Sequence, residues 1–169
     1  RLAEHEPALT RWQNASALVA VVAALVAVPL TVVRQQGLAL STVTDPAHIS
    51  QWFGQTVIDG AGIGATGSMT FPDYGSIPLR IEALDAPNMV ASRWGNDDAL
   101  GAQGALPSEV DEHSTVFTFT LEPAAGGTQL TVVETGFENT SEPAANLESH
   151  REGWDGELDK LVALLEADE

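Results

Sequence analysis

The chain has 169 residues, 44% of them apolar, with 24 Asp+Glu against 7 Lys+Arg and no cysteine, a size suited to one compact domain with a short extension. A formal charge of -17 excludes a non-specific nucleic-acid binder, which needs clustered Lys/Arg to release counterions, and argues against anionic membrane surfaces as partners. The absence of cysteine excludes disulfide scaffolds, thiolate zinc sites and cysteine nucleophiles, while a mean hydropathy of +0.01 is too high for a disordered acidic chain.

Residues 1–34 carry a net charge of +1, from Arg1, Arg11 and Arg34 against Glu4 and Glu6, and the rest holds 4 basic and 22 acidic side chains. Within the first part, Ala15 to Val33 is an uncharged apolar run of 19 residues, close to the roughly 20 that span a bilayer. Pro29 and Thr31 interrupt its second half. Three readings stand: a membrane anchor through residues 15–33, an unstructured segment, or a division into an Ala/Val-rich helix over Ala15 to Leu25 and a strand over Val26 to Val33. In the divided reading Val28, Leu30 and Val32 share one strand face. A signal peptide fits less well, since no basic n-region or clear cleavage site is present. The domain expectation is therefore residues 1–25 as an extension and 26–169 as the folded domain, placed in the cytoplasm unless the apolar run anchors it to a membrane.

From Gln35 to Gly54 two short helices are expected. Asp45-Pro46 stops the first, because a residue before proline disfavours helical dihedrals; Asp45 then caps the second, with Pro46 at its first position and Gly54 at its end. Candidate strands follow at Gln55 to Ile58, Thr66 to Pro72, Ile77 to Ala86, Met89 to Trp94, Thr115 to Leu121 and Gln129 to Phe137. Phe117, Phe119 and Leu121 fall on one face and Thr118 and Thr120 on the other, as in a sheet buried on one side. Pro123 to Thr128 reads as a glycine-bearing hairpin loop, and Asn96 to Asp111 as a polar loop without period. The last segment is one long helix: Ala144, Leu147, Trp154, Leu158, Leu161, Val162 and Leu165 recur at steps of 3, 4 and 7. Gly153 and Gly156, each costing about 1 kcal/mol relative to alanine in a helix interior, mark a kink or close packing on the sheet.

Three stretches carry a family resemblance: TDPAHISQWFG (Thr44 to Gly54), VFTFTLEPAAGGTQLTVVETGF (Val116 to Phe137) and HREGWDGELDKLVALLE (His150 to Glu166). Together they resemble the SRPBCC, or START-like, superfamily, and within it the AHSA domain, named for an activator of the 90-kDa heat-shock chaperone ATPase. The resemblance implies an α+β helix-grip fold. A curved antiparallel sheet would wrap a long C-terminal helix, with two short helices after the first strand and a lipophilic cavity between sheet and helix. One departure is that Ala39 and Leu40 stand where family members carry a Val-Trp pair.

The resemblance implies a cavity lined by some of Trp52, Phe53, Phe71, Trp94, Phe117, Phe119, Trp154 and Leu158. Aromatics at strand and helix spacing are more often core than ligand wall, so only a minority of these eight would face a ligand, and Trp52 and Trp154 read as anchors. Other candidates are weaker. Asp45 and His48 read as a cap and a surface histidine, and His113 among Glu109, Asp111 and Glu112 reads as a solvated acidic loop. GAGIGATG, from Gly60 to Gly67, lacks the Lys-Ser/Thr of a phosphate loop and precedes a strand. The sequons at Asn14 and Asn139 mean little without secretion. His150 and Glu134 would meet only through tertiary packing. No catalytic residue, metal site or cofactor is assigned.

The leading expectation is a non-catalytic binding protein for a hydrophobic or amphipathic small molecule. A chaperone-associated regulator acting in stress, and a cavity-based cyclase or hydrolase-like enzyme, are the alternatives; a convergent buried pair of titratable groups in the cavity would favour the enzyme. A chaperone and a second copy of the chain are the protein partners considered.

Overall fold

The computed structural model describes residues 28–32, 38–95, 113–125 and 127–167. Seven strands form one antiparallel sheet: β1 (Val28–Val32), β2 (Gln55–Asp59), β3 (Thr66–Phe71), β4 (Gly75–Asp85), β5 (Met89–Trp94), β6 (Thr115–Ala124) and β7 (Gly127–Thr135). Their order is β1-β7-β6-β5-β4-β3-β2, so the meander from β2 to β7 is completed by the first strand pairing with the last. Two four-residue helices, α1 (Ser41–Thr44) and α2 (Pro46–Ile49), lie between β1 and β2, and the long helix α3 (Pro143–Ala167) closes the chain. This is the α+β helix-grip architecture, with a curved sheet and a C-terminal helix.

The second half of the apolar run is thus strand β1, in register with β7 through Val28↔Val132, Leu30↔Leu130 and Val32↔Thr128. A strand at Val28–Val32 means that the run 15–33 is not one continuous membrane helix. No helix among the described residues is long and apolar enough to cross a membrane. The first half of the run, the rest of the extension over residues 1–25, Gln35, and the polar loop Asn96 to Asp111 lie outside the described residues.

Alternation builds the core. On β6, Phe117, Phe119 and Leu121 are buried while Val116, Thr118 and Thr120 are half-buried, and on β7 Leu130, Val132 and Glu134 point the same way. Helix α3 answers with Trp154, Leu158, Leu161 and Leu165, spaced 4, 3 and 4 residues apart, which makes one stripe on a 3.6-residue helix. These side chains join the sheet's apolar face and Trp52, Ile49 and Val43 from the short helices in a single core. Complete burial of a leucine such as Leu158 or Leu161 contributes about 1.5–3 kcal/mol, which holds the helix on the sheet.

Asp45 caps α2 as expected, its carboxylate accepting the Ala47 backbone N–H at 2.8 Å with Pro46 in the first turn. The helix itself is shorter than the sequence suggests and ends at Ile49. Gly54, expected to terminate it, serves close packing instead: a Cβ there would lie 2.5 Å from Met69 Cγ and 2.9 Å from the Phe71 ring. The β6–β7 turn is also tighter than a Pro123 to Thr128 loop, since the pairing continues through Pro123↔Thr128 to Ala124↔Gly127. The glycine-rich GAGIGATG segment is the β2–β3 turn, and Gly67 is fixed by contact, because a Cβ would meet the Val57 carbonyl oxygen at 1.9 Å. Gly153 and Gly156 do not mark close packing, since nothing lies within 4 Å of a Cβ at either, and α3 continues past both.

Candidate functional site

Between β3, β4 and β5 on one side and the first half of α3 on the other, a cleft of about 130 Å³ opens. That space exceeds the ~10–15 Å³ needed for one water several-fold. Phe53, Phe71, Trp94 and Trp154 form its aromatic walls, with Tyr74 and Ile77 beside them and Ser149, His150, Gly153 and Glu157 along the helix. The rings touch in sequence around the opening: Phe53 lies 5.3 Å from Phe71, 5.8 Å from Trp94 and 5.0 Å from Trp154, centroid to centroid.

Of the eight residues considered for a cavity wall, these four line the cleft. Trp52 and Leu158 sit in the packed core, Trp52 donating its indole N–H to the Thr42 carbonyl at 3.2 Å. Phe117 and Phe119 border only a second space of about 10 Å³ deeper in the core, room for a single water at most. The cleft therefore sits at the β3–β5 side of the helix–sheet interface, and the space beside Phe117 and Phe119 is far smaller.

Behind the cleft wall, holding its residues Trp94, His150 and Trp154 from the inside, lies a buried polar cluster. Glu134 on β7 is 1% exposed, yet it faces inward with Leu130 and Val132. Its Oε1 accepts the Trp94 indole N–H at 2.8 Å, the Thr115 hydroxyl, and His150 Nδ1 at 2.9 Å; its Oε2 accepts the Trp154 indole N–H at 2.7 Å. Burial pushes the Glu134 pKa up, but hydrogen bonding and charge from His150, with the bonds from Thr115 and Trp154, outweigh it and hold the group below its ordinary value of 4.5. Three strands, β5, β6 and β7, and the helix thus meet at one carboxylate, and two of the cleft's four aromatic walls are pinned by it.

This cluster makes stability depend on acid. Folding lowers the Glu134 pKa, so its contribution is complete above about 4.5 and is lost as pH falls through the lower folded value. Glu82 shifts the same way, since Arg80 and Arg93 outweigh its desolvation, but it is 30% exposed and adds less. Urea midpoints measured from about pH 6 to pH 3 should fall toward acid, and Glu134→Gln should flatten that limb. Identical acid limbs in both proteins would exclude Glu134 as the source.

The remaining polar candidates resolve to local structure. His48 Nδ1 donates to the Ser41 carbonyl at 3.2 Å, and His113 Nδ1 to the Asn139 carbonyl at 2.8 Å. Glu109, Asp111 and Glu112 lie outside the described residues, among which no group of three or more His, Asp or Glu could hold a metal ion.

Fold and site together define a helix-grip protein of the SRPBCC superfamily with an aromatic cleft beside its long helix. The chain belongs to the AHSA1 family, described as Activator of Hsp90 ATPase homolog 1-like protein, whose model matches residues 41–166. No curated protein matches the sequence. Among solved structures, protein MLL2253 from Mesorhizobium loti is 20% identical, covering 86% of this chain and 98% of its own, with a TM-score of 0.68. The Aha1 dimer from Colwellia psychrerythraea is 17% identical over 75% of this chain and 84% of its own, with a TM-score of 0.54. DynU16, of the dynemicin biosynthetic locus, is 22% identical over 86% of this chain and 46% of its own, with a TM-score of 0.59. At these identities the likeness shows the fold.

Sequence reasoning left Tyr74, Ile77, Ser149, His150, Gly153 and Glu157 out of the cavity wall. A signal for part of the set was available: His150, Gly153, Trp154 and Glu157 stand at steps of 3, 4 and 7, the spacing of one helix face. Glu134 carried a signal too, as a carboxylate in phase with the buried Leu130 and Val132 of a strand.

Proposed function

We propose that this protein is a non-catalytic binding protein that takes a hydrophobic or amphipathic small molecule into the cleft between sheet and α3. The observation that carries this reading is the space among Phe53, Phe71, Trp94 and Trp154, where the helix presents Gly153 instead of a side chain. Small-molecule sites are concave and mostly apolar, with a few placed polar groups. The cleft has that composition.

Gly153→Leu tests the reading, because the new side chain meets nothing within 4 Å of its Cβ and replaces a poor helix former. Titration with the neutral probe N-phenyl-1-naphthylamine, followed by quenching of tryptophan fluorescence, should show binding to the native protein that falls about tenfold or more in Gly153→Leu, while the melting temperature holds or rises. Saturating probe at 100 times its dissociation constant should stabilise the native protein by about 2.7 kcal/mol. Equal binding to both proteins, or none to the native one, would overturn the reading.

A second reading rests on Glu134 and His150, a buried acid–base pair whose histidine lines the cleft. In a cavity-based enzyme His150 would move the proton and Glu134 would orient the ring. Incubation with a metabolite extract, followed by mass spectrometry, should show a compound consumed by the native protein and spared by His150→Gln. No difference would remove the enzyme. The family description supports a chaperone regulator as well, and an unchanged ATPase rate of a 90-kDa heat-shock chaperone on adding this protein would remove that reading.

A further inference from the structure

The cleft's polar atoms select among small molecules, and the selection falls on charge. Glu134 is already satisfied on both oxygens, by His150, Thr115, Trp94 and Trp154. Glu157, also on the cleft wall, is different. Its Oε1 accepts Lys160 Nζ at 2.8 Å, whereas its Oε2 is shut off from solvent and has no hydrogen-bond partner among the described residues. A buried acceptor left unmade costs about 1–3 kcal/mol, and more when charged. A donor brought by an occupant would recover that cost.

Three further facts decide between a neutral donor and a cation. Four aromatic rings line the same cleft as Glu157, and a ring face turned to a cation attracts it by about 0.5–2 kcal/mol depending on desolvation. The protein carries a formal charge of -17, which concentrates cations near its clefts and repels anions. The opposing cation nearest Glu157, Lys160, has a side chain 62% exposed and is screened by solvent, and any charge on His150 is matched by Glu134 at 2.9 Å.

We propose that the cleft binds an organic cation, an aromatic or alicyclic body carrying an ammonium group, with the body among Phe53, Phe71, Trp94 and Trp154 and the ammonium paired with the Glu157 carboxylate, which turns on its side chain to bring Oε2 to the donor. This rests on the small-molecule reading above and narrows it to one ligand class. Glu157 follows Gly153 by four residues and Trp154 by three, so carboxylate, gap and aromatic wall share one face of α3.

Three probes of one shape test it on the full chain at pH 7 and low salt: 1-naphthylmethylamine, 1-naphthylmethanol and 1-naphthoate. The amine should bind about tenfold tighter than the alcohol, and the carboxylate weakest. Glu157→Gln should erase the amine's advantage over the alcohol. Raising salt should weaken the amine alone, a readout that needs no variant. Equal affinity for amine and alcohol in the native protein would overturn the cation assignment and leave the cleft reading intact, and so would an amine preference that survives Glu157→Gln. Failure of all three probes to bind would instead defeat the cleft reading itself.

Discussion

Replacing Glu134 by alanine is expected to destabilise the fold by about 3–5 kcal/mol, because a buried carboxylate shared by four donors is lost and those donors stay inside. Four donors lose their acceptor in the variant, the Trp154 and Trp94 indole N–H, the Thr115 hydroxyl and His150 Nδ1, though Trp94 keeps the Thr115 hydroxyl at 2.9 Å. Glu134→Gln should cost less, about 1–3 kcal/mol, because the amide retains one acceptor. It cannot match the native pattern. Whichever way the amide turns, its NH2 faces a donor: the Trp154 indole in one orientation, and the Trp94, Thr115 and His150 side in the other. Urea denaturation of both variants, with His150→Ala and the Glu134→Ala/His150→Ala double variant closing a cycle, measures the pair directly. Single-variant losses below about 1 kcal/mol, or strictly additive ones, would show that the cluster contributes nothing as a unit.

The same cluster shows where sequence reading stopped. Elements governed by local chemistry were legible: the Asp45-Pro46 break, the alternation of β6, the apolar stripe of α3 from Trp154 to Leu165 and a strand in the second half of the apolar run stand where residue type and period put them, whereas Ala144, at the start of the expected stripe, is exposed. Errors fell at ends and turns. Helix α2 ends at Ile49, with the Ser50 hydroxyl turned back to the Pro46 carbonyl at 2.6 Å, and Gly54 packs against Met69.

The site was half legible for a comparable reason. An aromatic on the inner face of a sheet is equally a wall or a core residue until the opposing element is placed, and the sequence could not show that α3 presents Trp154 and Leu158 to the packed core but Gly153 to the cleft. That difference leaves Phe53, Phe71 and Trp94 facing open space while Phe117 and Phe119, on a neighbouring strand, border a far smaller one. The Glu134–His150 pair joins residues 16 apart in sequence from different elements. Each half was visible alone, the one as a carboxylate on an apolar strand face and the other on the stripe of Trp154, but their meeting is a property of the docking.

Trp154→Ala should cost about 3–5 kcal/mol, as expected for a large aromatic side chain removed from a core. The residue is 2% exposed and its ring lies 5.0 Å from Phe53, 5.4 Å from Phe117 and 5.7 Å from both Trp94 and Phe119. Its removal would therefore open a hole facing both the cleft and the packed interior. Trp154→Phe separates two contributions in part, because it keeps a six-membered ring in the core while removing the N–H that serves Glu134 Oε2 and the rest of the indole. About 1–3 kcal/mol should be lost in that variant from the buried oxygen left without its donor. Leu161→Ala is the control: the side chain is fully buried on the same helix stripe but absent from the cleft wall, so it should lose about 2–5 kcal/mol of stability and leave probe affinity unchanged. Denaturation midpoints paired with naphthalene-probe titrations would separate the cases, with stability and binding both falling in Trp154→Ala and stability alone in Leu161→Ala. If the two variants affect binding alike, Trp154 acts on the cleft only through the general stability of the fold, and its place as a wall is lost.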